Sequence, residues 1–361
     1  MTSPIRLLIA ASGTGGHLFP AIALAQQLPD YQIEWLGTAN RMETSLVPDD
    51  YPLNIIAVEG FQQKLSLKTL KIIGGFFKSI WQTQKLIKEH QIDAVFTTGG
   101  YIAAPAILAA RMQNKPAIVH ESNYIPGKVT KFLSRWCDAV ALGFMGTAQY
   151  LPQTKTVHVG TPVRSQFLTA QPLDLNIPDE AVVILVVGGS QGAVAVNKLI
   201  REAAPAWFDL GAYVVHLTGK NDPEAEGLKH PHYITLPFTD NMAGLLQRAN
   251  LAISRAGAGT ITELAFTSTP AILIPYPYAA EDHQTYNAQE YKDAGAGIVY
   301  QQADLKTETL REQVVQWLRS PELLTEMAAK AEAIAVTDSA ERLASLVRSL
   351  VEQNGTKRLR D

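Results

Sequence analysis

Four stretches of this chain carry residue types suited to holding a phosphate: SGTGGH (12–17), TGGY (98–101), GGSQGA (188–193) and SRAGAGT (254–260). Each follows an apolar run and precedes a helical pattern. Glycine there lets an anion approach the backbone amides at the start of a helix. The competing reading is a tight strand-to-helix turn, for which glycine is the least strained residue. For one loop the two readings are evenly matched, and four such loops, two in each half of the chain, favour binding. A dinucleotide fingerprint is excluded. No loop has G-x-G-x-x-G spacing, and the second strand of the first half ends in Leu36-Gly37-Thr38, where a ribose-binding acid would be expected. No P-loop, G-x-x-x-x-G-K-[ST], is present either.

The run SRAGAGTITEL (254–264) is the most specific of these signals. Gly257 and Gly259 allow close approach, and Thr260 is expected at a helix start. Glu263, about one turn further on, could accept hydrogen bonds from a ribose diol beyond a diphosphate. The alternative is a capping box, Thr260-x-x-Glu263. The polar cluster EDHQ (281–284) places Asp282, His283 and Gln284 where they could bind sugar hydroxyls or simply cap a solvated helix.

These residues need elements to hold them. Short apolar runs alternate with helical segments throughout. Strands are expected near Ile5–Ala11, Ile33–Leu36, Asn54–Val58, Ala94–Thr97, Ala117–His120 and Ala139–Leu142. A second series is expected near Val182–Val187, Tyr213–Leu217, Tyr233–Leu236, Leu251–Ser254, Ala271–Ile274 and Gly297–Tyr300. Such alternation implies two doubly wound parallel sheets. Their ligands bind beyond the carboxyl ends of the strands, where the glycine loops lie. The expected domains are 1–162, joined by a last helix beginning near Ser339 (about 339–361), and 163–338.

Composition narrows the class. The chain has 361 residues, 47% apolar and 18% charged, with one cysteine, Cys137. That excludes an internal disulfide and a cysteine-based zinc cluster. A net charge of −3 argues against a nucleic-acid partner. The balance is uneven: residues 1–162 carry 14 Lys+Arg against 10 Asp+Glu, and residues 163–361 carry 17 against 24. Only the first half suits an anionic surface. No apolar run approaches the roughly 20 residues of a membrane span, and neither a signal peptide nor a D-x-D metal motif is present.

Taken in order and spacing, TGGHLFPAIALA, GGYIAAPA, HESNYIPGK, GTPVR, GGSQGA, SRAGAGTITE and EDHQTYNAQ resemble the bacterial peptidoglycan N-acetylglucosaminyltransferases over nearly the whole chain. The resemblance implies a GT-B fold, with two Rossmann-like domains facing across a cleft. It implies transfer of GlcNAc from UDP-GlcNAc to the C4 hydroxyl of lipid I, with inversion, forming lipid II. It also implies work at the cytoplasmic face of the inner membrane, with cell-wall or division machinery as candidate protein partners and no cofactor or metal. Carried over residue by residue, Thr14, Gly15 and Gly16 face the donor, together with Asn123, Arg164 and Ser190. Arg255, Gly257, Ala258, Gly259 and Thr260 cradle the diphosphate, Glu263 holds the ribose and Gln284 the GlcNAc. The chain departs from the family pattern at Thr161, often Asn, and at His283, Arg in some members. Three rival functions remain: a UDP-sugar transferase for another lipid, a UDP-GlcNAc 2-epimerase, and a non-catalytic nucleotide-sugar sensor.

A single displacement needs a base. His17 is the first candidate because imidazole titrates near neutral pH; it could instead only orient substrate groups. Glu121 is the reserve. The segment 64–88 has six lysines and no acid. Lys64, Lys71, Lys78 and Lys85 form one stripe. Leu70, Ile72, Ile73, Phe76, Phe77, Ile80, Trp81 and Ile87 fill an arc of about half the helix circumference, wider than the roughly 100° of an ordinary core stripe. The segment reads either as a core helix with a lysine edge or as a contact with anionic lipid. Gly74-Gly75 could split it.

Overall fold

The computed structural model describes residues 4–39, 41–58, 67–189 and 192–358, with residues 67–71 and 357–358 as backbone only. The chain divides into two compact units, Met1–Arg164 with Asp338–Asp361, and Ser165–Thr337.

The first unit runs β1 (Arg6–Ala10), α1 (Gly15–Gln26), β2 (Gln32–Gly37), α2 (Glu43–Leu46), β3 (Leu53–Ile55), α3 (Leu67–Glu89), β4 (Ala94–Thr97), α4 (Ala103–Met112), β5 (Ala117–Glu121), α5 (Lys128–Leu133), β6 (Ala139–Leu142) and β7 (Thr156–His158). Its sheet is parallel, in the order β3-β2-β1-β4-β5-β6-β7. The strands are apolar on both faces because helices cover both. Leu7 and Ile9 point into one core with Trp35 and Phe96. Leu8 and Ala10 point into the other with Val95 and Ile107.

The second unit runs β8 (Val183–Val187), α6 (Val194–Ala203), α7 (Pro205–Phe208), β9 (Tyr213–Leu217), β10 (Tyr233–Leu236), α8 (Met242–Arg248), β11 (Leu251–Ser254), α9 (Ala258–Phe266), β12 (Ala271–Leu273), α10 (His283–Asp293), β13 (Gly297–Val299), α11 (Thr307–Leu318) and α12 (Pro321–Ala333). Its parallel sheet is ordered β10-β9-β8-β11-β12-β13. The last helix, α13 (Ser339–Arg358), belongs to the first unit. It buries Leu343, Val347 and Leu350 in the core that α1 lines, and Arg348 pairs with Asp30.

Both sheets reverse their winding between two central strands, β1 and β4 in the first and β8 and β11 in the second. This switch point is where doubly wound folds bind ligands. The four glycine loops are the loops that leave these four strands.

Three details differ from the sequence expectations. Strand β7 was not expected; it has three half-buried residues and no apolar run to mark it. The second-strand neighbour β3 is shorter than Asn54–Val58. Helix α3 is continuous through Gly74-Gly75.

Candidate functional site

In the first unit the SGTGGH loop turns from β1 into α1. Gly13 takes a left-handed φ of +105°, and Thr14 is the N-cap, with no side-chain hydrogen bond capping the helix. A Cβ at Gly15 would lie 2.6 Å from the Phe19 ring, so a side chain there would displace that ring. The Arg164 guanidinium lies over that ring, 4.8 Å from its centroid. Arg164 is therefore placed beside the start of α1, although it is distant in sequence.

His17 lies in the first turn of α1 and is half-buried. Its Nδ1–H donates to the Thr98 carbonyl at 2.7 Å. That bond fixes the tautomer, so neutral His17 presents its lone pair at Nε2, the arrangement a general base needs. Gly99 and Gly100, both at positive φ, line this edge of the ring, and a Cβ at Gly100 would stand 3.8 Å from Nε2. The first and second glycine loops thus meet at His17.

Glu121 is buried at the end of β5. Its Oε1 accepts from the Asn123 amide at 3.1 Å and from Asn123 Nδ2 at 3.4 Å, and its Oε2 accepts from the Gly127 amide at 3.0 Å. Both oxygens hold the loop that carries Asn123. Such a carboxylate shapes the loop. Next to it, fully buried His120 donates from Nε2 to the Gly160 carbonyl. Burial pushes its pKa down to about 4, so it is a neutral strut between β5 and the segment leading to Arg164.

In the second unit, helix α9 starts at Ala258, with Gly257 as N-cap and no side-chain cap. Thr260 sits inside the first turn, so Thr260-x-x-Glu263 is not a capping box here. The first-turn amides lack a capping side chain and can meet an anion. A Cβ at Gly259 would meet nothing within 4 Å. The loop ahead of the helix is pinned from α10. Gln284 Oε1 accepts from the Ala256 amide at 3.1 Å and the Tyr276 amide at 2.9 Å, and Asn287 Nδ2 donates to the Ala256 carbonyl at 3.2 Å. The carbonyl end of Gln284 is committed to these two amides. Glu263 is half-buried one turn after Thr260.

Arg255 is a correction. Its guanidinium donates to the carbonyls of Ile274 and Pro275 and to Gln302 Oε1, and it lies over Tyr276. It braces the loop after β12, and these three acceptors occupy it within the protein. Ser190 lies outside the described residues. His283 Nδ1–H donates to the Ala280 carbonyl, and Asp282 accepts from Thr285. Among the described residues no three His, Cys, Asp or Glu side chains are grouped to hold a metal ion.

Helix α3 separates its two edges. Ile73, Phe77 and Trp81 face outward, Phe77 at 65% and Trp81 at 61% exposure, with Lys78 also exposed and Lys85 over the Trp81 ring. Ile72 and Phe76 are half-buried. Ile80, expected on the outer face, is 8% exposed and packs inward like Ile87. The Lys71 side chain and Lys64 lie outside the described residues. Helix α3 packs on α4, which also contacts α5. There Phe132 and Trp136 are exposed among Lys128, Lys131 and Arg135, a second aromatic-basic group that the sequence reading missed. The alternation of charge and aromatics over 128–136 was its only signal. Among the described residues no helix is long and apolar enough to cross a membrane.

Another missed residue is Glu43, wholly buried on α2. Its Oε1 accepts from Ser12 Oγ (2.6 Å), the Thr38 amide (2.7 Å) and Thr38 Oγ1 (3.0 Å), and its Oε2 accepts from the Gly13 amide (3.2 Å). Burial pushes its pKa up, but these bonds outweigh burial and hold it below the ordinary 4.5.

Two doubly wound units, each with paired glycine loops at its switch point, define an α/β protein of the GT-B class. The Glycosyltransferase family 28 N-terminal domain matches residues 7–142 and the family 28 C-terminal domain residues 183–343; the chain belongs to glycosyltransferase family 28. A relative in Gloeothece citriformis is 66% identical over 347 residues, 96% of each chain, and is named UDP-N-acetylglucosamine--N-acetylmuramyl-(pentapeptide) pyrophosphoryl-undecaprenol N-acetylglucosamine transferase. A relative of the same name in Synechocystis is 61% identical over 98% of this chain and all of its own. The crystal structure of Acinetobacter baumannii MurG superposes with a TM-score of 0.77 at 32% identity, covering 96% of this chain and all of that one.

Proposed function

We propose that this protein transfers N-acetylglucosamine from UDP-N-acetylglucosamine to the C4 hydroxyl of lipid I, undecaprenyl-pyrophosphoryl-N-acetylmuramyl-pentapeptide, forming lipid II for peptidoglycan. The observation that carries the reading is identity above 60%, along nearly the full chain, to relatives bearing that name. The second unit binds the donor. The first-turn amides of α9 meet the diphosphate, Glu263 accepts from the ribose hydroxyls, and the Gln284 NH2 donates to the sugar. The first unit binds the acceptor and supplies the base.

The step is one displacement. His17 Nε2 takes the proton from the C4 hydroxyl, whose oxygen forms a bond to the anomeric carbon from the face opposite UDP. The bond from that carbon to the diphosphate oxygen breaks, and UDP leaves with its electron pair. The Thr98 carbonyl, already bonded to Nδ1–H, stabilises the resulting imidazolium. Helix amides oppose the charge developing on the leaving diphosphate. Thr14, Gly15, Gly16 and Asn123, which the family pattern turns toward the donor, complete its binding from the first unit.

The same reading places the protein as a peripheral membrane protein on the cytoplasmic face of the inner membrane. Ile73, Phe77 and Trp81 enter the headgroup region beside Lys78 and meet anionic lipid, and Phe132 and Trp136 extend the contact. Lipid I, dissolved in that bilayer, is then presented to the unit that touches it.

The test is stoichiometry. UDP release should require the lipid acceptor and match, one for one, the GlcNAc appearing in lipid. Conversion of UDP-GlcNAc to an epimer or free sugar without acceptor would overturn the reading.

A further inference from the structure

Glu43 is a costly residue to keep. It is 0% exposed, and among the described residues it has no ion-pair partner. A buried carboxylate without a cation is strongly disfavoured unless hydrogen bonds replace its hydration. Here four donors do so. Three come to Oε1 and one to Oε2, from two different loops, the one leaving β1 (Ser12, Gly13) and the one leaving β2 (Thr38). Ser12 Oγ and Thr38 Oγ1 also lie 2.7 Å apart; with one proton each, one hydroxyl can donate to the other only in place of its bond to Glu43. One residue earlier, buried Trp35 donates from Nε1 to the Ala11 carbonyl. Three consecutive residues of the first glycine loop are therefore clamped from β2 and α2. Gly37 makes room for the clamp, since a Cβ there would lie 2.9 Å from Glu43 Cγ.

The clamped residues lead directly into Thr14, whose carbonyl accepts the amides of His17 and Leu18 at 3.0 and 3.1 Å. From Gly13 to the imidazole there are four residues and one helical turn. We propose that Glu43 is a positioning residue for the transfer reaction: its ionised carboxylate clamps Ser12 and Gly13 and thereby sets where His17 Nε2 stands. The proposal rests on the reading of His17 as base.

Only a carboxylate fits all four donors, because it offers acceptor sites on both oxygens and no proton of its own. In Glu43→Gln the NH2 must face either the Gly13 amide or the Ser12–Thr38 group, putting donor against donor. The loop then shifts while the volume is unchanged. The α9 amides, Glu263 and Gln284, the proposed holders of the donor, lie in the other unit.

The experiment combines kinetics with hydrogen exchange on the full-length wild type, Glu43→Gln and the milder Thr38→Val, which removes one donor. In Glu43→Gln, kcat should fall by about tenfold to a hundredfold, the cost of a misplaced catalytic group, with KM for UDP-GlcNAc unchanged. Amides 11–18 should exchange faster, and those of residues 183–337 at the wild-type rate. Thr38→Val should show the same pattern, weaker. A Glu43→Gln enzyme with wild-type kcat overturns the proposal. So does a rise in KM together with faster exchange in both units, which is general destabilisation. If the wild type itself transfers no GlcNAc, the parent reading fails, and exchange of amides 11–18 still decides the clamp.

Discussion

At the scale of single residues, the tautomer of His17 matters most. Its Nδ1–H is spent on the Thr98 carbonyl, so Nε2 is the atom that the proposed mechanism needs. His17→Ala should lower kcat by about a hundredfold to ten-thousandfold while UDP affinity stays at the wild-type value; near-normal turnover would take His17 out of the chemistry. Two other histidines govern stability. His120 and His216 are both held at a pKa of about 4, chiefly by burial. The unfolded chain takes up protons at these positions from about pH 6.5 downward, and the folded chain does not. The stability they contribute is present above pH 6.5 and is lost as pH falls toward 4. Glu43, with its pKa lowered, extends the loss further into acid. Thermal melts at pH 7 and pH 5 should show a lower Tm at pH 5, and an unchanged Tm would contradict the neutral assignments. His17 stood out in sequence because it ends a glycine loop. Glu43 did not, because nothing in RMET marks a side chain that folds back across two loops to bond residues some thirty positions earlier.

At the scale of elements, the question is whether the glycines serve a turn or a ligand, and α9 separates the two. Gly259 is helical, and a Cβ there meets no neighbour within 4 Å. If glycine served only the turn, Gly259→Ala would be harmless. As helix propensity it should stabilise the protein by about 0.5–1 kcal/mol. If a diphosphate approaches the amides, the methyl obstructs it. The expected result is a raised or unchanged Tm with UDP affinity weakened by about tenfold or more, read by calorimetry; unchanged affinity would return this loop to the turn reading. For α3, Trp81→Ala with Lys78→Glu should weaken binding to anionic vesicles, and binding equal to wild type would place the lipid contact elsewhere. The alternation of strands and helices was legible because buried parallel strands read as apolar runs. Strand β7 was not, being a short edge of half-buried residues. Nor was the orientation of α3: an apolar arc covering half a helix does not say which edge meets the sheet, and packing put Ile80 inside and Trp81 outside.

At the scale of the whole molecule, the chain builds one unit from both of its ends. Helix α13 returns to the first unit and buries Leu343 completely, in the core that β1 and α1 share. Leu343→Ala should cost about 2–5 kcal/mol, seen as a lower denaturation midpoint of the first unit. Arg348→Ala, which breaks a partly exposed ion pair with Asp30, should cost no more than about 1 kcal/mol. A larger loss from Arg348 than from Leu343 would mean that charge, and not burial, fastens the helix. The switch points now explain why the sequence was so readable as a two-unit enzyme: the glycine loops recur in both halves because each sheet reverses its winding once, between two strands. The account as a whole stands on transfer itself. Radiolabelled GlcNAc from UDP-GlcNAc should appear in a lipid I analogue, and it should do so equally with EDTA present if, as proposed, helix amides and not a metal ion meet the diphosphate. No labelled lipid while UDP still binds, or label lost on adding EDTA, would contradict it.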